Sequence, residues 1–175
     1  MIEYRTWENK LQNLIEWYKT CIVKPQDHLN LWEHFKMAEM EGAVLDVGAG
    51  QKKGTWLKNK FSNKVRYTGI DPVPADDSIL RGTAEALPFF DGAFNYVICI
   101  STLQHTLDPE KAVSEIHRVL KTHGKICATV YLSKVNDLIA HEFSTKTAGD
   151  LFNKKFLLND VREFNNVCYI SGLKP

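Results

Sequence analysis

Two short segments of this chain hold residues whose types and spacing can do chemistry. Val44-Leu45-Asp46-Val47-Gly48-Ala49-Gly50 is an apolar run that carries one acid and stops at a Gly-x-Gly turn. Glycine lets the backbone turn tightly there and come close to a ligand at the strand end. Further on, Val65-Arg66-Tyr67-Thr68-Gly69-Ile70-Asp71 repeats the pattern and closes on a carboxylate. A glycine turn after one buried strand and an acid at the end of the next is how doubly wound folds hold a nucleoside, the acid accepting hydrogen bonds from ribose hydroxyls. The two segments together imply a site for a nucleoside-containing cofactor.

Composition narrows the remaining classes. The 175 residues suit one domain, and 44% hydrophobic with 25% charged residues is ordinary globular material. A net charge of +1 supplies no general basic field, so nucleic acid is not indicated as a partner. Cys21, Cys99, Cys127 and Cys168 form no CxxC pair, and the last three fall in expected strands, where a reduced thiol packs as a small hydrophobe. The six histidines show no HExxH or comparable ligand spacing, so no metal is expected. No apolar stretch approaches the roughly twenty residues of a membrane span, and Met1-Ile2-Glu3-Tyr4-Arg5 does not open a signal peptide. Cytoplasm is the expected location.

The elements that must position the two segments follow from hydrophobic periodicity. Trp7, Leu11, Leu14, Ile15 and Tyr18 recur at helical spacing. Pro25-Gln26-Asp27 breaks that run, and Asp27 caps a second helix through Leu31, Trp32, Phe35 and Met40. Residues 1–41 therefore read as a helical cap on a core over 42–175. Its stripe reads as packing, although helices placed before the first strand can also lid a cofactor site. From residue 43 strands and helices alternate: strands Val44 to Val47, Val65 to Ile70, a weak third near Ile79 to Gly82, Phe94 to Ile100 and Lys125 to Tyr131. Crossover helices are expected from Gly54 to about Lys60 and from a cap at Asp108, with Pro109 at its first turn, to a left-handed glycine stop at His123-Gly124. A last helix near Thr147 to Phe152 precedes Leu157 to Phe164 and Val167 to Ile170. Asn165-Asn166 tolerates the positive φ of a tight hairpin between these two runs. The fold class is α/β: a Rossmann-like, doubly wound, mostly parallel sheet ending in an antiparallel hairpin, with helices on both faces.

Consecutive blocks from about Val44 to Val130 resemble the class I S-adenosylmethionine-dependent methyltransferases, in particular the type 11 group. Leu45 to Gly50 resembles the glycine-rich cofactor loop and Gly69-Ile70-Asp71 the ribose-binding turn. Ala84-Glu85-Ala86-Leu87-Pro88-Phe89 with Asp91-Gly92-Ala93-Phe94 is similar to the adenine-side segment. Ser101-Thr102-Leu103-Gln104-His105 resembles the segment after the fourth strand, and Glu115 to Lys121 with Gly124 the helix that follows. The resemblance implies a seven-stranded sheet and S-adenosylmethionine as cofactor, released as S-adenosylhomocysteine, without a metal. It also implies cofactor contacts at Asp46, Gly48, Ala49, Gly50, Asp71, Pro72, Thr83, Ala84, Glu85, Ser101 and Leu103. Glu85 reads equally as a solvated acid at a helix start, and Leu103 equally as packing. Two departures stand out: Thr83 replaces a frequent acid, and Gln51-Lys52-Lys53-Gly54 follows the second glycine where many members carry a further small residue.

Methyl transfer from a sulfonium needs alignment and exclusion of water, with a general base only when the acceptor arrives protonated. His105, just after the fourth strand, is the candidate base, with a structural histidine as the competing reading. His141 is a second candidate, and Tyr131 is placed to line an acceptor pocket. The segment Ser101-Thr102-Leu103-Gln104 lacks the Asn/Asp-Pro-Pro-aromatic run typical of enzymes that methylate nucleobase amino groups or glutamine amides. The expected acceptor is therefore a small molecule, reached through an O, N or C nucleophile, in a monomer or homodimer. Two other readings share the glycine turn. One is a methyltransferase-fold binding module acting through a partner protein. The other is a nicotinamide dehydrogenase, which leaves the Leu-Pro-Phe segment, the block after the fourth strand and the terminal hairpin unexplained.

Overall fold

A computed structural model describes residues 31–50, 53–74, 77–132 and 141–175. The expected helical stripe from Trp7 to Tyr18, the Asp27 cap and Cys21 lie outside the described residues, as do Gln51 and Lys52. Seven strands among the described residues form one sheet: β1 (Gly42–Val47), β2 (Val65–Asp71), β3 (Ile79–Arg81), β4 (Phe94–Ile100), β5 (Leu120–Tyr131), β6 (Leu157–Phe164) and β7 (Val167–Leu173). Their order is β3-β2-β1-β4-β5-β7-β6, with β7 antiparallel to both neighbours and every other pair parallel. Reversal between β1 and β4 opens a crevice at the carboxyl ends of the strands, where ligands bind in such sheets.

The aliphatic runs are continuous because both faces of the sheet are covered. Alternate residues of β4 show this: Val97 and Cys99 join the cluster under α2 (Pro109–Val119) and α3 (Thr145–Asn153), while Ile98 and Ile100 face the opposite cluster. That second cluster holds Phe35, Met37, Met40, Val44 and Leu57, the last from α1 (Lys53–Lys60). β6, at the edge, is exposed along most of its length, and Asn165 and Asn166 take φ of 49° and 63° in the hairpin to β7.

Helix starts follow their local signals. Asp108 accepts from Lys111 N (3.0 Å) ahead of Pro109, and Ser144 and Thr147 form a reciprocal capping box on α3. Two helix ends depart from expectation. The helix expected to continue to Met40 is present at residues 31–34, then breaks at Lys36 (φ 52°) into a 3-10 turn over Met37–Glu39. Phe35 and Met37 are both buried, yet residues two apart lie on nearly opposite sides of a helix, so burying both needs the break.

The second departure is the end of α2. The helix stops at Val119, Leu120 is already extended, and the left-handed residue is His123 (φ 62°), not Gly124. The cap comes from a distance instead: Lys174 Nζ donates to Leu120 O (2.8 Å) and Arg118 O (3.4 Å), and His123 N donates to Lys174 O (2.9 Å). Gly124 is needed for space, because a Cβ there would stand 2.8 Å from Lys121 O and 3.1 Å from Asn95 O. Gly124→Ala is expected to cost about 1–3 kcal/mol by overpacking. It should appear as a lower urea midpoint with an unchanged denaturant slope.

Candidate functional site

The site begins where β1 and β2 leave the sheet side by side, Val47 opposite Ile70. Gly48 N and Ala49 N both donate to Ile70 O (2.8 and 3.1 Å), so the turn stays on the ladder while it reverses. Gly48 and Gly50 take φ of 73° and 69°, a region that side chains rarely enter. A Cβ on Gly48 would overlap the Thr102 side chain, whereas one on Gly50 meets nothing nearer than Gly48 O at 3.9 Å. The first glycine therefore makes room for protein, and the second leaves open space beside exposed backbone. Asp71 closes the arrangement, its Oδ2 accepting from Gly50 N (2.8 Å) and its Oδ1 from Val73 N (2.8 Å).

Beneath the turn lies Asp46, 2% exposed, accepting from the Tyr67 hydroxyl at 2.7 Å. A buried carboxylate requires such a donor to offset its lost hydration. Burial first, and the Asp46 charge second, hold the Tyr67 phenol far above its ordinary pKa, so it remains a donor. Gly69 makes the contact possible: its Cβ would stand 3.0 Å from Ala49 Cβ and 3.3 Å from the Tyr67 hydroxyl. The expected site residues omit Tyr67. Its signal is the strand period, since Tyr67, Gly69 and Asp71 share one face of β2. Cys99 and Cys127 have thiols pushed up to about 12 chiefly by burial, so neither is a nucleophile.

The turn after β4 forms the opposite wall. Ser101 is left-handed (φ 52°) and its N–H is held by Thr129 O (2.9 Å) and Thr129 Oγ1 (3.1 Å). Thr102 Oγ1 donates to Val47 O (3.1 Å), tying this wall to the residue just before the glycine turn. Leu103, Gln104 and His105 form a 3-10 turn in which Leu103 and Gln104 are fully buried and His105 is half-buried. His141 lies over the same turn, its N donating to Gln104 O (3.2 Å) and its Nε2 2.9 Å from Thr106 O. A carbonyl only accepts, so the neutral ring carries its proton on Nε2 and leaves Nδ1 basic. Tyr131, half-buried, ends β5.

The third wall follows β3. Gly82 N donates to Asp71 O (3.1 Å), which sets Thr83, buried Ala84 and Glu85 beside the acid, while Pro72 O accepts from Arg81 Nη1 (2.9 Å). Glu85 Oε1 accepts from Leu107 N (2.7 Å), so its carboxylate joins this segment to the turn after β4. One side chain of α2 clamps the rest: Arg118 donates to Phe89 O (2.7 Å), Leu87 O (2.9 Å), Asp91 (2.8 Å) and both oxygens of Glu115. Glu115 in turn accepts from Leu87 N (2.9 Å). The four segments expected from the sequence to contact a cofactor thus lie together at the carboxyl ends of β1, β2, β3 and β4. Among the described residues no cluster of histidine, cysteine and acid side chains is arranged to hold a metal ion, and no helix is long and apolar enough to cross a membrane.

The Arg118 hydrogen bonds hold the Glu115 carboxyl below its ordinary value of 4.5. A depressed folded-state pKa contributes stability that is complete above the unfolded value and is lost as pH falls through the folded one. Urea midpoints taken from about pH 6 down to about pH 3 should therefore fall less steeply for Glu115→Gln than for the parent chain. The variant should also start from a lower midpoint at the upper end of that range.

A family model of the type 11 group, described as a methyltransferase domain, matches residues 45–128. An uncharacterized methyltransferase of Mycobacterium tuberculosis is 31% identical over 93 residues, 47% of this chain and 37% of that protein. The chain thus spans well under half the length of that relative. The UbiE protein of Blochmanniella pennsylvanica, named a ubiquinone/menaquinone biosynthesis C-methyltransferase, is 28% identical over 168 residues, 75% of this chain and 65% of its own. The crystal structure of YcgJ from Bacillus subtilis matches in fold with a TM-score of 0.67 at 20% identity, covering 84% of this chain and 98% of that one. The matched segment, just under half of the chain, runs from within β1, before the glycine turn, to the middle of β5, and it takes in the glycine turn, Asp71, the segment after β3 and the turn after β4; over that span the chain is similar to methyltransferase domains of the type 11 group.

Proposed function

We propose that this protein transfers a methyl group from S-adenosylmethionine to an O, N or C nucleophile of a small-molecule acceptor. The observation that carries the reading is the 2.8 Å bond between Asp71 and Gly50 N, which brings the acid and the open glycine turn into one cradle. The residues fit the cofactor. Asp71 accepts from Gly50 N and Val73 N, and an ionised carboxylate, with about four acceptor positions, is the type of group to which ribose hydroxyls would donate. Backbone at Gly48 to Gly50 is bare of side chains where the methionine moiety would approach, and the buried Asp46 carboxylate, held by Tyr67, is the natural partner of its ammonium. Pro72, Thr83, Ala84 and Glu85 would border the adenine, read by backbone groups since the Glu85 carboxylate is engaged by Leu107 N. When bound, the cofactor supplies a methyl group already activated by its sulfonium.

The chain's task is then alignment and exclusion of water. Ser101 and Leu103 would flank the transferred methyl. His105 is the proposed base for acceptors that arrive protonated, with His141 Nδ1 as the alternative on the same turn. A small acceptor is supported by the absence of the Asn/Asp-Pro-Pro-aromatic run after β4 and by the relative named for quinone C-methylation.

Titration calorimetry should find S-adenosylmethionine and S-adenosylhomocysteine binding in the micromolar range, with NAD as a non-binding control. Asp71→Asn should weaken both by roughly tenfold or more, as removal of a charged hydrogen-bond acceptor does. Tyr67→Phe should weaken S-adenosylhomocysteine by about tenfold yet leave 5′-methylthioadenosine, which lacks the amino acid portion, unchanged. A folded chain that binds neither sulfur nucleoside would sink the enzymatic reading.

A further inference from the structure

Gln104 has no solvent exposure, and neither its Oε1 nor its Nε2 finds a hydrogen-bond partner among the described residues. Buried side-chain amides are ordinarily paired, because a bare donor and acceptor forfeit the hydrogen bonds each would make with water. The 3-10 turn itself has no use for the group. His105 N reaches Thr102 O (2.9 Å), and Leu103 O accepts from Thr106 N (3.2 Å) and Thr106 Oγ1 (2.8 Å). A methionine would fill the same space without an unpaired amide. Its location offers an explanation that the local fold does not. The turn follows β4, is tied by Thr102 to the residue before the glycine turn, and lies beneath His141.

We propose that the Gln104 carboxamide recognises the methyl acceptor and selects a small planar molecule carrying an N–H or O–H donor beside a carbonyl oxygen, the edge of a lactam or an ortho-hydroxy ketone. A primary amide presents one donor and one acceptor side by side, so an edge of complementary order closes two hydrogen bonds with it. The inference rests on the methyl-transfer reading, which gives an acceptor a reason to arrive at the carboxyl end of β4. The carboxamide is fully buried, so an acceptor reaches it only if a neighbour gives way, and His141, bonded to the same turn at Gln104 O and Thr106 O, is the neighbour we assign to that movement. A site built around such a pair discriminates strongly against an analogue that lacks one partner, because the amide is then left bare again.

The test uses the whole chain loaded with S-adenosylhomocysteine and two probes, 2-pyridone, which sets N–H beside C=O, and N-methyl-2-pyridone, which lacks the donor. Saturation-transfer NMR titrations should give at least about tenfold tighter binding of 2-pyridone to the parent protein, a preference that disappears in Gln104→Met. S-adenosylhomocysteine affinity should stay within about twofold in the variant, and its Tm without probe should rise by roughly 2 °C or more as the unpaired amide is removed. His141→Ala, which removes the ring contact to Thr106 O and keeps the amide, should retain the preference and supplies a second variant. The proposal is overturned if the parent chain binds S-adenosylhomocysteine but shows no preference between the probes. It is equally overturned if Gln104→Met keeps the preference, or if that variant melts lower because a buried water already serves the amide. Failure to bind S-adenosylhomocysteine with the 2-pyridone preference intact would sink the methyl-transfer reading alone.

Discussion

The Asp71 carboxylate bonds one backbone N–H in the turn after β1 and another in the loop after β2, and the geometry of the crevice hangs on that bridge. Gly48 N and Ala49 N keep the start of the turn on β2 through Ile70 O, but the ladder ends there and leaves the position of Gly50 to be set. Asp71 fixes it with two charge-assisted bonds, which are stronger than bonds between neutral groups. The conformation of Gly50 follows, since its N–H must face the acid while its backbone keeps φ near 69°.

From this bridge a closed chain of contacts runs round the crevice. Asp71 O holds Gly82, the segment after Gly82 reaches Glu85, Glu85 holds Leu107, and Thr102 returns to Val47 beside the glycine turn. Two of these links depend on side chains of single residues from different strands or loops, so the walls support one another rather than being carried by separate elements. Arg118 stabilises the ring from outside by gathering the carbonyls of Leu87 and Phe89 onto α2, a planar fork matched to several acceptors at once. The carboxylates of the site each accept from protein donors: Asp46 from Tyr67, Asp71 from Gly50 N and Val73 N, and Glu85 from Leu107 N. Such an arrangement suits a reaction in which the protein positions reactants and the activated group comes with the cofactor.

The two faces of the sheet divide the remaining work. Under α2 and α3 the packing is aliphatic and aromatic, with Ile116, Leu120, Ile126 and Phe152 fully buried. On the other face the chain before β1 contributes Phe35, Met37 and Met40, and His34 meets Asp160 of β6 at 3.1 Å. The described part of the N-terminal segment is thus a packing layer across the central strands.

The succession of strands and helices, the hairpin at Asn165-Asn166, the cap at Asp108 and the glycine turn beside an acid were legible in the sequence, because each is encoded locally. Buried parallel strands need continuous aliphatic runs, left-handed turns need glycine or asparagine, and a helix start needs a short acceptor side chain. The contacts between residues far apart in the chain were set by packing. The end of α2 is capped by Lys174 rather than by Gly124, the Glu85 carboxylate turns to Leu107, and Tyr67 reaches Asp46 across two strands. No local pattern announces these, since a side chain's partner depends on which strands become neighbours and on the register between them. Gln104 is the sharpest case: its residue type is unremarkable in the sequence, and only the packed fold leaves its amide buried, without a partner among the described residues, in the turn after β4.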